Sequence, residues 1–551
     1  MADVAGIEHG LLLANCFEIK GKRHRVEVSS FSIHWEREGS SDLGWHVPLK
    51  EVICIQPAEA NKDNCFSCFY SSNVENNVDS SLERVAFNIT AFQLHFVERA
   101  WKHRWKLRSL TFHNPNAMVV HHWITSIQQT INDFNHRPRR LLVFVNPFGG
   151  KKRAPTIYRK KIHPLFELAG IDAQVIVTER ANHAKDLLQE FSLVKLDGIV
   201  AIGGDGMFSE ILNGLLLRTQ KESGVDFNDS QAQLSHPELR IGIIPAGSTD
   251  TVAYSTSGTN DPVSAALHII IGDSIGVDIC GIYHEQQLMR YCTSMLAYGY
   301  FGDTLFDSEN LRWLGPLRYN WAGFKKVLRN RAYEGELLFK LQPQSETSPH
   351  DKHKCFAGCK VCERARDQIL TFLDKRQGNA SESWNCMRGR FIGINNVTLP
   401  CMCGLTKEGL SPAAHLGDGS TDLILIKKCS RLNYIRYLLR SAFHHDDPFS
   451  LNFVRVYRVR EFQFRPVSLD EAEAVPSLDV TNGNHSFRQH QPTHSSVWNC
   501  DGEIIEEPAI NVRVFCQLVK LFARGVEGDL YDSTFVTFNK PQLVKINVAS
   551  H

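Results

Sequence analysis

The chain has 551 residues, with 61 basic and 60 acidic side chains, 43% hydrophobic content and 15 cysteines. A charged fraction of 22% beside 10% aromatics excludes a wholly disordered protein, and a formal charge of +1 excludes a nucleic-acid binder that works through bulk charge. At about 100–200 residues per domain, the length predicts three to five folding units. The longest apolar runs are short, such as those at 295–302 and 423–426, and fall far below the roughly 20 residues of a membrane-spanning helix. Residues 1–30 lack the basic, apolar and small-residue succession of a signal peptide. An odd number of loosely spread cysteines predicts a reducing compartment with one local thiol site.

In chain order, short alternating segments at 24–28, 31–35, 52–55, 85–90, 94–97 and 105–110 predict a small antiparallel sheet. Over 117–134 the period changes. Val119, Val120, Trp123, Ile127, Ile131 and Phe134 fall on one stripe, so an amphipathic helix closes the unit. A sheet capped by one C-terminal helix with a Trp inside it resembles a pleckstrin-homology domain, which sets a membrane-targeting domain at residues 1–134. The basic stretch 135–140 reads as a hinge. Strands at 141–145, 173–178, 198–202 and 241–244 then alternate with helices at 157–168, 183–191, 208–217 and 262–270. That alternation predicts a doubly wound parallel sheet over 141–271, with ligand loops at the strand C-termini. Residues 272–530 are strand-rich, with polar insertions at 342–354, 371–383 and 471–495 and a last strand at 511–522; 531–551 reads as a tail.

The chemistry is concentrated in loops that end the parallel strands. An apolar strand runs into Gly203-Gly204-Asp205-Gly206, where glycines on both sides of a carboxylate let the backbone turn tightly against a ligand. A carboxylate there repels bare phosphate, which points to a base or a metal-facing group. Asn146-Pro147-Phe148-Gly149-Gly150 ends the first of these strands, Thr178, Glu179, Arg180, Ala181 and Asn182 the second, and a loop with the hydroxyls of Ser248 and Thr249 the last. Four such loops converge on one crevice. None has the spacing of a P-loop or of a dinucleotide fold.

The motifs NPFGG, GGDGMFSEILNG and IPAGSTD, in that order, resemble the catalytic domain of the diacylglycerol kinase and sphingosine kinase superfamily, over about residues 136–286. The CxxxCxxC element at 355–362, the glycine-bounded element 409–419, WNCDGE at 498–503 and Met207 in place of a common Thr bring the resemblance closest to the ceramide kinases, over nearly all of the chain beyond residue 10. The resemblance implies a multidomain α/β plus β protein: a pleckstrin-homology-like domain, then a two-lobed lipid kinase with a doubly wound α/β lobe and a β-sandwich lobe. It implies ATP- and Mg²⁺-dependent phosphorylation of the primary hydroxyl of ceramide to ceramide 1-phosphate, with Asp205 as the base. ATP contacts are implied at Asn146, Pro147, Phe148, Thr178, Glu179, Arg180, Ala181, Asn182, Gly204, Gly206, Met207, Glu210, Ser248, Thr249, Asp501, Gly502 and Glu503. Lipid contacts are implied at Gly203, Gly204, Asp205, Gly206 and Asp303, and a cytoplasmic protein peripherally bound to Golgi and plasma membranes is the implied setting. Sphingosine or diacylglycerol as acceptor remains open. A non-catalytic adaptor is the reading from another class, and the intact Asp205, Ser248, Thr249 and Asp501 speak against it.

Asp418 and Asp422, four apart in one turn, have the spacing to share a hard cation, and the element resembles one that holds Mg²⁺ in bacterial members. Cys355, Cys359 and Cys362 have the spacing for three sulfurs of a Zn²⁺ site, with Cys386, Cys401 or Cys403 as the fourth ligand, or for a redox-sensitive cluster. Two features suit a membrane or a regulatory partner. Basic residues interleave with leucines over 427–440, and Leu425, Leu432 and Leu438 have a 1-8-14 spacing like that of a Ca²⁺–calmodulin target. Lys20, Lys22, Arg23 and Arg25, with Arg99, Lys102, Arg104, Lys106 and Arg108, are candidates to face phosphoinositide head groups.

Overall fold

The computed structural model describes residues 10–39, 44–58, 89–311, 313, 317–342, 347–374, 384–404, 406–443, 446–467 and 495–528. Seven strands come first: β1 (Leu11–Ile19), β2 (Lys22–Ser29), β3 (Ser32–Arg37), β4 (Trp45–Pro48), β5 (Val52–Pro57), β6 (Ala91–Ala100) and β7 (Arg104–His113). They form an antiparallel sheet in the order β4-β3-β2-β1-β7-β6-β5. Helix α1 (Ala117–Asn132) closes it; Asn116 caps the helix by accepting from Met118 N at 3.0 Å. The stripe read from sequence is the buried one. Trp123 packs edge-on against Phe17, ring centres 4.7 Å apart, so the helical period and the strand period meet in a single core. Part of the segment at 85–90 lies outside the described residues.

The parallel sheet consists of β8 (Arg140–Val145), β9 (Asp172–Val177), β10 (Gly198–Gly203) and β11 (Arg240–Pro245), in the order β9-β8-β10-β11. Every residue of β10 is buried, as an apolar strand covered on both faces must be. A helical stretch at 154–168 and helices α2 (His183–Glu190), α3 (Asp205–Glu222), α4 (Thr251–Ser257) and α5 (Pro262–Ile271) connect the strands.

The second lobe contains β12 (Ile275–His284), β13 (Gln287–Cys292), β14 (Met295–Gly299), α6 (Tyr300–Glu309), α7 (Leu317–Arg329), β15 (Tyr333–Leu341), α8 (Lys360–Asp374), β16 (Asn385–Val397), β17 (Thr421–Lys427), α9 (Arg431–Phe443), β18 (Val454–Pro466), β19 (Trp498–Cys500), β20 (Glu503–Ile505) and β21 (Ile510–Leu521). Its sandwich is made by two 13-residue strands that change partner along their length. β16 pairs with β15 over 385–391 and with β17 over 391–397, while β18 pairs with β17 over 454–459 and with β15 over 459–466. The two lobes are not separate sheets. β21 lies antiparallel to β12 and β18 and, through Ile241 and Leu521, parallel to β11.

The N-terminal domain is bolted to the kinase body. Glu51 binds both terminal nitrogens of Arg99 at 2.7 Å and Arg524 Nη1 at 2.9 Å. Glu527 accepts from Arg99 at 2.9 Å and from Trp105 Nε1 at 3.1 Å, and Arg524 reaches Asp273 at 3.0 Å. Ile53, Val97 and Trp105 of the first domain share one apolar cluster with Val143, Ala266 and Ile270 of the α/β lobe. The segment 135–140 is correspondingly packed and does not behave as a free hinge: Arg137 donates to Lys50 O at 3.0 Å, and Arg240 donates to His136 O at 2.6 Å.

Candidate active site

Register aligns the strand ends. Val145 pairs with Ile202 and with Val177, and Gly203 pairs with Pro245, so the loops beginning at Asn146, Thr178, Gly204 and Ala246 leave the sheet at one level. Asn146 Oδ1 accepts from Phe148 N and Gly149 N, which folds that loop back on itself and leaves the Phe148 ring 59% exposed. The loops touch through their backbones. A Cβ on Gly247 would lie 2.5 Å from Gly204 Cα, and one on Gly150, whose φ is +55°, would lie 2.7 Å from Ala246 O. Only glycine allows this approach. Gly206, at the start of α3, faces open space, and Ser248 and Thr249 are exposed beside it in the chain's next loop. Met207 turns the other way, into the core.

Asp205 begins α3 and binds the N-terminus of α4: Thr251 N donates to Oδ2 and Val252 N to Oδ1, both at 3.0 Å. Burial raises its pKa above the ordinary carboxylate value, and the nearby Asp501 adds to the rise, against the lowering by the two backbone donors. Asp250, in the left-handed region at φ +55°, accepts from Gly247 N at 2.9 Å; burial, reinforced by Asp205, pushes it to about 7. Glu210 accepts from the backbone of Asn182 and Ala184 at the start of α2, which joins α3 to the 178–182 loop. Its Oε2 is buried without a partner among the described residues, and burial raises its pKa.

Asp501, at φ +49°, is held in a nest of Thr293 N at 2.7 Å, Ser294 N at 2.9 Å and Met295 N at 3.0 Å. Gly502 follows at φ +90°. Glu503 pairs with Arg290, which also donates to Ser209 Oγ of α3 at 3.1 Å. The structure therefore brings Asp205, Glu210, Asp501, Glu503 and the four loops to one side of the sheet. Asp250 and Arg290 complete the set. Sequence reading passed over both, although an Asp closing the IPAGSTD loop was a visible signal for the first.

Three family models match this chain: the ceramide kinase PH domain over residues 13–127, the diacylglycerol kinase catalytic domain over 140–282 and the ceramide kinase C-terminal domain over 293–537. A ceramide kinase of Homo sapiens is 46% identical over 451 residues, covering 79% of this chain and 83% of that protein. The chain belongs to the ceramide kinase family. A ceramide kinase of Mus musculus is 42% identical over 493 residues, with 88% and 90% of the two chains covered. A solved putative diacylglycerol kinase from Bacillus anthracis str. Sterne matches over 70% of this chain and 97% of its own at 15% identity and a TM-score of 0.43.

Other residues singled out in this ceramide kinase family member lie apart from the cradle. Asp303, in the first turn of α6, accepts from Tyr333 OH at 2.5 Å and from Ser496 Oγ at 2.6 Å. It stands beyond the far end of β14 from the Asp501 nest, a strand length of about 13 Å at 3.3 Å per residue. Tyr298 is core, packed edge-on against Tyr333 and at a tilt against Phe464 and Trp498. Asp418 and Asp422 are not a pair. Asp422 is fully buried against Arg458 at 2.9 Å and Ser411 Oγ at 2.6 Å, while Asp418 faces the buried Asp278, whose pKa is raised well above normal by burial and by Asp418. The 1-8-14 leucines are likewise divided, because Leu425 is buried in β17 and Leu432, on α9, is 79% exposed. Cys355, Cys359 and Cys362 do assemble, but with His415. Cys386 is exposed on β16, Cys401 donates to Ser294 O at 3.3 Å and Cys403 contacts Thr406 Oγ1 at 3.2 Å.

Proposed function

We propose that this lipid kinase transfers the γ-phosphoryl group of ATP to the primary hydroxyl of ceramide, with Asp205 as the base. The observation that carries the assignment is a carboxylate fixed at the start of α3 by the N-terminus of α4, inside a turn where Gly204 and Gly247 leave no room for side chains. Phosphoryl transfer asks for alignment and charge stabilisation more than for covalent help. The two backbone donors fix the orientation of Asp205, and its raised pKa makes it a stronger base toward the hydroxyl it must deprotonate. The 146–148 and 178–182 loops, Gly204, Gly206, Ser248 and Thr249 would hold ATP, and Met207 would support that turn from the core side. Asp501, Gly502 and Glu503 would act through the 293–295 turn and Arg290. The unpartnered Glu210 Oε2 and the crowded carboxylates of Asp205 and Asp250 suit a bound Mg²⁺, which neutralises phosphate charge.

We place the part of the lipid beyond its reacting hydroxyl against a shallow, open depression lined by Tyr300, Asp303, Lys326, Arg329, Arg331 and Tyr434. It opens between α7 and α9, whose outer faces expose Trp321, Phe324 and Leu328 on one helix and Leu432, Leu439 and Phe443 on the other. Apolar faces flanked by Lys325, Arg431 and Arg436 suit an anionic bilayer from which a lipid is drawn. The same α9 face would be the calmodulin contact. Phosphoinositide recognition would fall to Lys20, Lys22, Arg23 and Arg25 around the β1–β2 turn, since Arg99 is committed to Glu51 and Glu527.

Phosphate transfer by the purified chain from labelled ATP to ceramide, sphingosine and diacylglycerol tests the reaction. Transfer to ceramide at least tenfold above the others is expected; transfer to none of them refutes the assignment. Trp321→Ala/Phe324→Ala tests the bilayer face by liposome flotation, and undiminished binding would remove it.

A further inference from the structure

The thiols of Cys355, Cys359 and Cys362 take no part in the phosphotransfer site. Cys355 precedes Phe356, which bridges to Val526; Cys359 lies just before α8 and Cys362 in its first turn. Gly358, at φ +72°, turns the chain between them. From the other side comes His415, in the loop that ends at β17. The three sulfurs and the His415 ring nitrogen all lie within 4.8 Å of one another. Cys355 Sγ is 3.7 Å from Cys362 Sγ, and Cys359 Sγ is 3.3 Å from His415 Nδ1.

These spacings can be compared with a metal's. Tetrahedral Zn²⁺ at about 2.3 Å from sulfur and about 2.1 Å from nitrogen requires S···S near about 3.8 Å and S···N near about 3.6 Å. The Cys355–Cys362 and Cys359–His415 distances agree to within a few tenths of an ångström, and no pair among the four exceeds 4.8 Å. A disulfide needs its sulfurs at about 2.05 Å, so Cys355 and Cys362 are not joined, and joining them would leave Cys359 and His415 facing each other alone. The surroundings suit a closed site. Cys355 and His415 are buried, and Cys355 belongs to the apolar cluster of Leu399, Leu416 and Leu518. His415 turns Nδ1 toward the sulfurs, and its Nε2 is buried without a hydrogen-bond partner among the described residues; a bound metal would take the Nδ1 lone pair and leave the proton on Nε2. The Gln517 side-chain amide ties the two halves together, donating to Cys362 O and Gly417 O at 2.7 Å each.

We propose that Cys355, Cys359, Cys362 and His415 form a structural Zn²⁺ site that fastens the insertion carrying α8, and the 401–420 loop, to β21. All four positions are protein ligands, so no coordination site is left for chemistry. Binding releases the three thiol protons and gives a thiolate₃–imidazole complex with a net charge of −1. The fastening has a mechanical need, because no residue of 360–368 in α8 is fully buried and Cys362 is the contact by which this stretch packs against the apolar cluster. The loop in turn reaches the catalytic lobe, where Met402 N donates to Ser255 Oγ of α4 at 3.0 Å.

Metal analysis of the full chain, purified without added metal and desalted, tests this directly. One zinc per chain is expected, falling at least tenfold in Cys359→Ser and His415→Ala. Because those variants put folding at risk, His415→Cys is the control: four thiolates should restore full zinc content. Cobalt exchanged into the wild type should show tetrahedral d–d bands and thiolate charge transfer, the latter intensified in His415→Cys. Wild-type protein that carries no zinc and takes none up from a zinc buffer overturns the site. So does a Cys355–Cys362 disulfide in the native chain, or His415→Ala with zinc content and cobalt spectrum unchanged.

Discussion

Replacing Arg99 by alanine should destabilise the kinase body, although the side chain belongs to the N-terminal domain. Arg99 makes at least five hydrogen bonds, two to Glu51 at 2.7 Å and three to Glu527 at 2.9–3.3 Å. All three side chains are under 10% exposed. Without the guanidinium, two buried carboxylates are left to share Arg524, and breaking a buried pair in this way costs about 3–5 kcal/mol. At about 2–4 °C per kcal/mol for a cooperative unit of 150–250 residues, Tm should fall on the order of 10 °C. Arg99→Lys, which keeps the charge but loses the fork, should fall between the two. The assay is thermal unfolding of the full chain, followed by proteolysis to see whether the fragment beyond residue 135 becomes sensitive together with the N-terminal domain. A melting curve within about 1 °C of wild type would refute the idea that this cluster holds the two parts together. The same reasoning makes deletion of residues 1–134 a stability experiment as much as a targeting experiment, because it uncovers Glu527, Arg524 and one side of a shared apolar cluster.

Asp205→Asn should lose roughly 10²–10⁴ in kcat; its amide oxygen keeps one of the two backbone donors at the start of α4 while the amide nitrogen faces the other, so a loss of about 1–3 kcal/mol in stability should accompany it, and wild-type turnover would end its role as base. Gly247→Ala should abolish phosphate transfer, because the added carbon would sit 2.5 Å from Gly204 Cα and 2.7 Å from Asp250 Oδ1; nucleotide binding equal to wild type would contradict it. Asp250 is raised from 3.8 to about 7 by burial, so the fold favours its protonated form and stability declines as pH rises from about 4 toward 7, by at most about 4 kcal/mol at 1.36 kcal/mol per unit. Asp250→Asn should therefore melt above wild type at pH 8 and with it at pH 4, and a constant difference across that range would exclude the titration. Tyr333→Phe should impair ceramide kinetics more than ATP affinity if Asp303 orients the lipid head; unchanged kcat/KM would move the head elsewhere.

Much of the loop cluster proposed to hold ATP was legible as strand ends and turns because those signals are local. An apolar run ending in glycine fixes both a strand terminus and a turn, and β10 ends within one residue of the expected position. What could not be read is partnership. Nothing in the sequence 510–521 says that it pairs with β11, since a strand's periodicity specifies a face and not a neighbour. Arg99 was read as a candidate for lipid head groups and Glu51, Arg524 and Glu527 carried no signal of their own; only the meeting of Glu51 and Arg99 with Arg524 and Glu527, hundreds of residues apart in sequence, makes them interior. His415 was a lone histidine until the fold placed it beside three thiols. Helices α7 and α8 were overlooked for a different reason: their helical period is clear, but the strand-rich reading of 272–530 hid it.

β21 sets a schedule for the growing chain. The parallel sheet lacks its neighbour to β11, and the sandwich lacks a partner for both β12 and β18, until residues 510–521 have left the ribosome. About 265 residues separate the end of β11 from that strand, which at roughly 5–20 residues per second is about 13–53 s during which β11 stays an open edge. The N-terminal domain waits as well, because Arg524 and Glu527, its anchors, follow directly behind. A chain built this way closes in one late step, and chaperones that shield sheet edges would matter most in the interval before it.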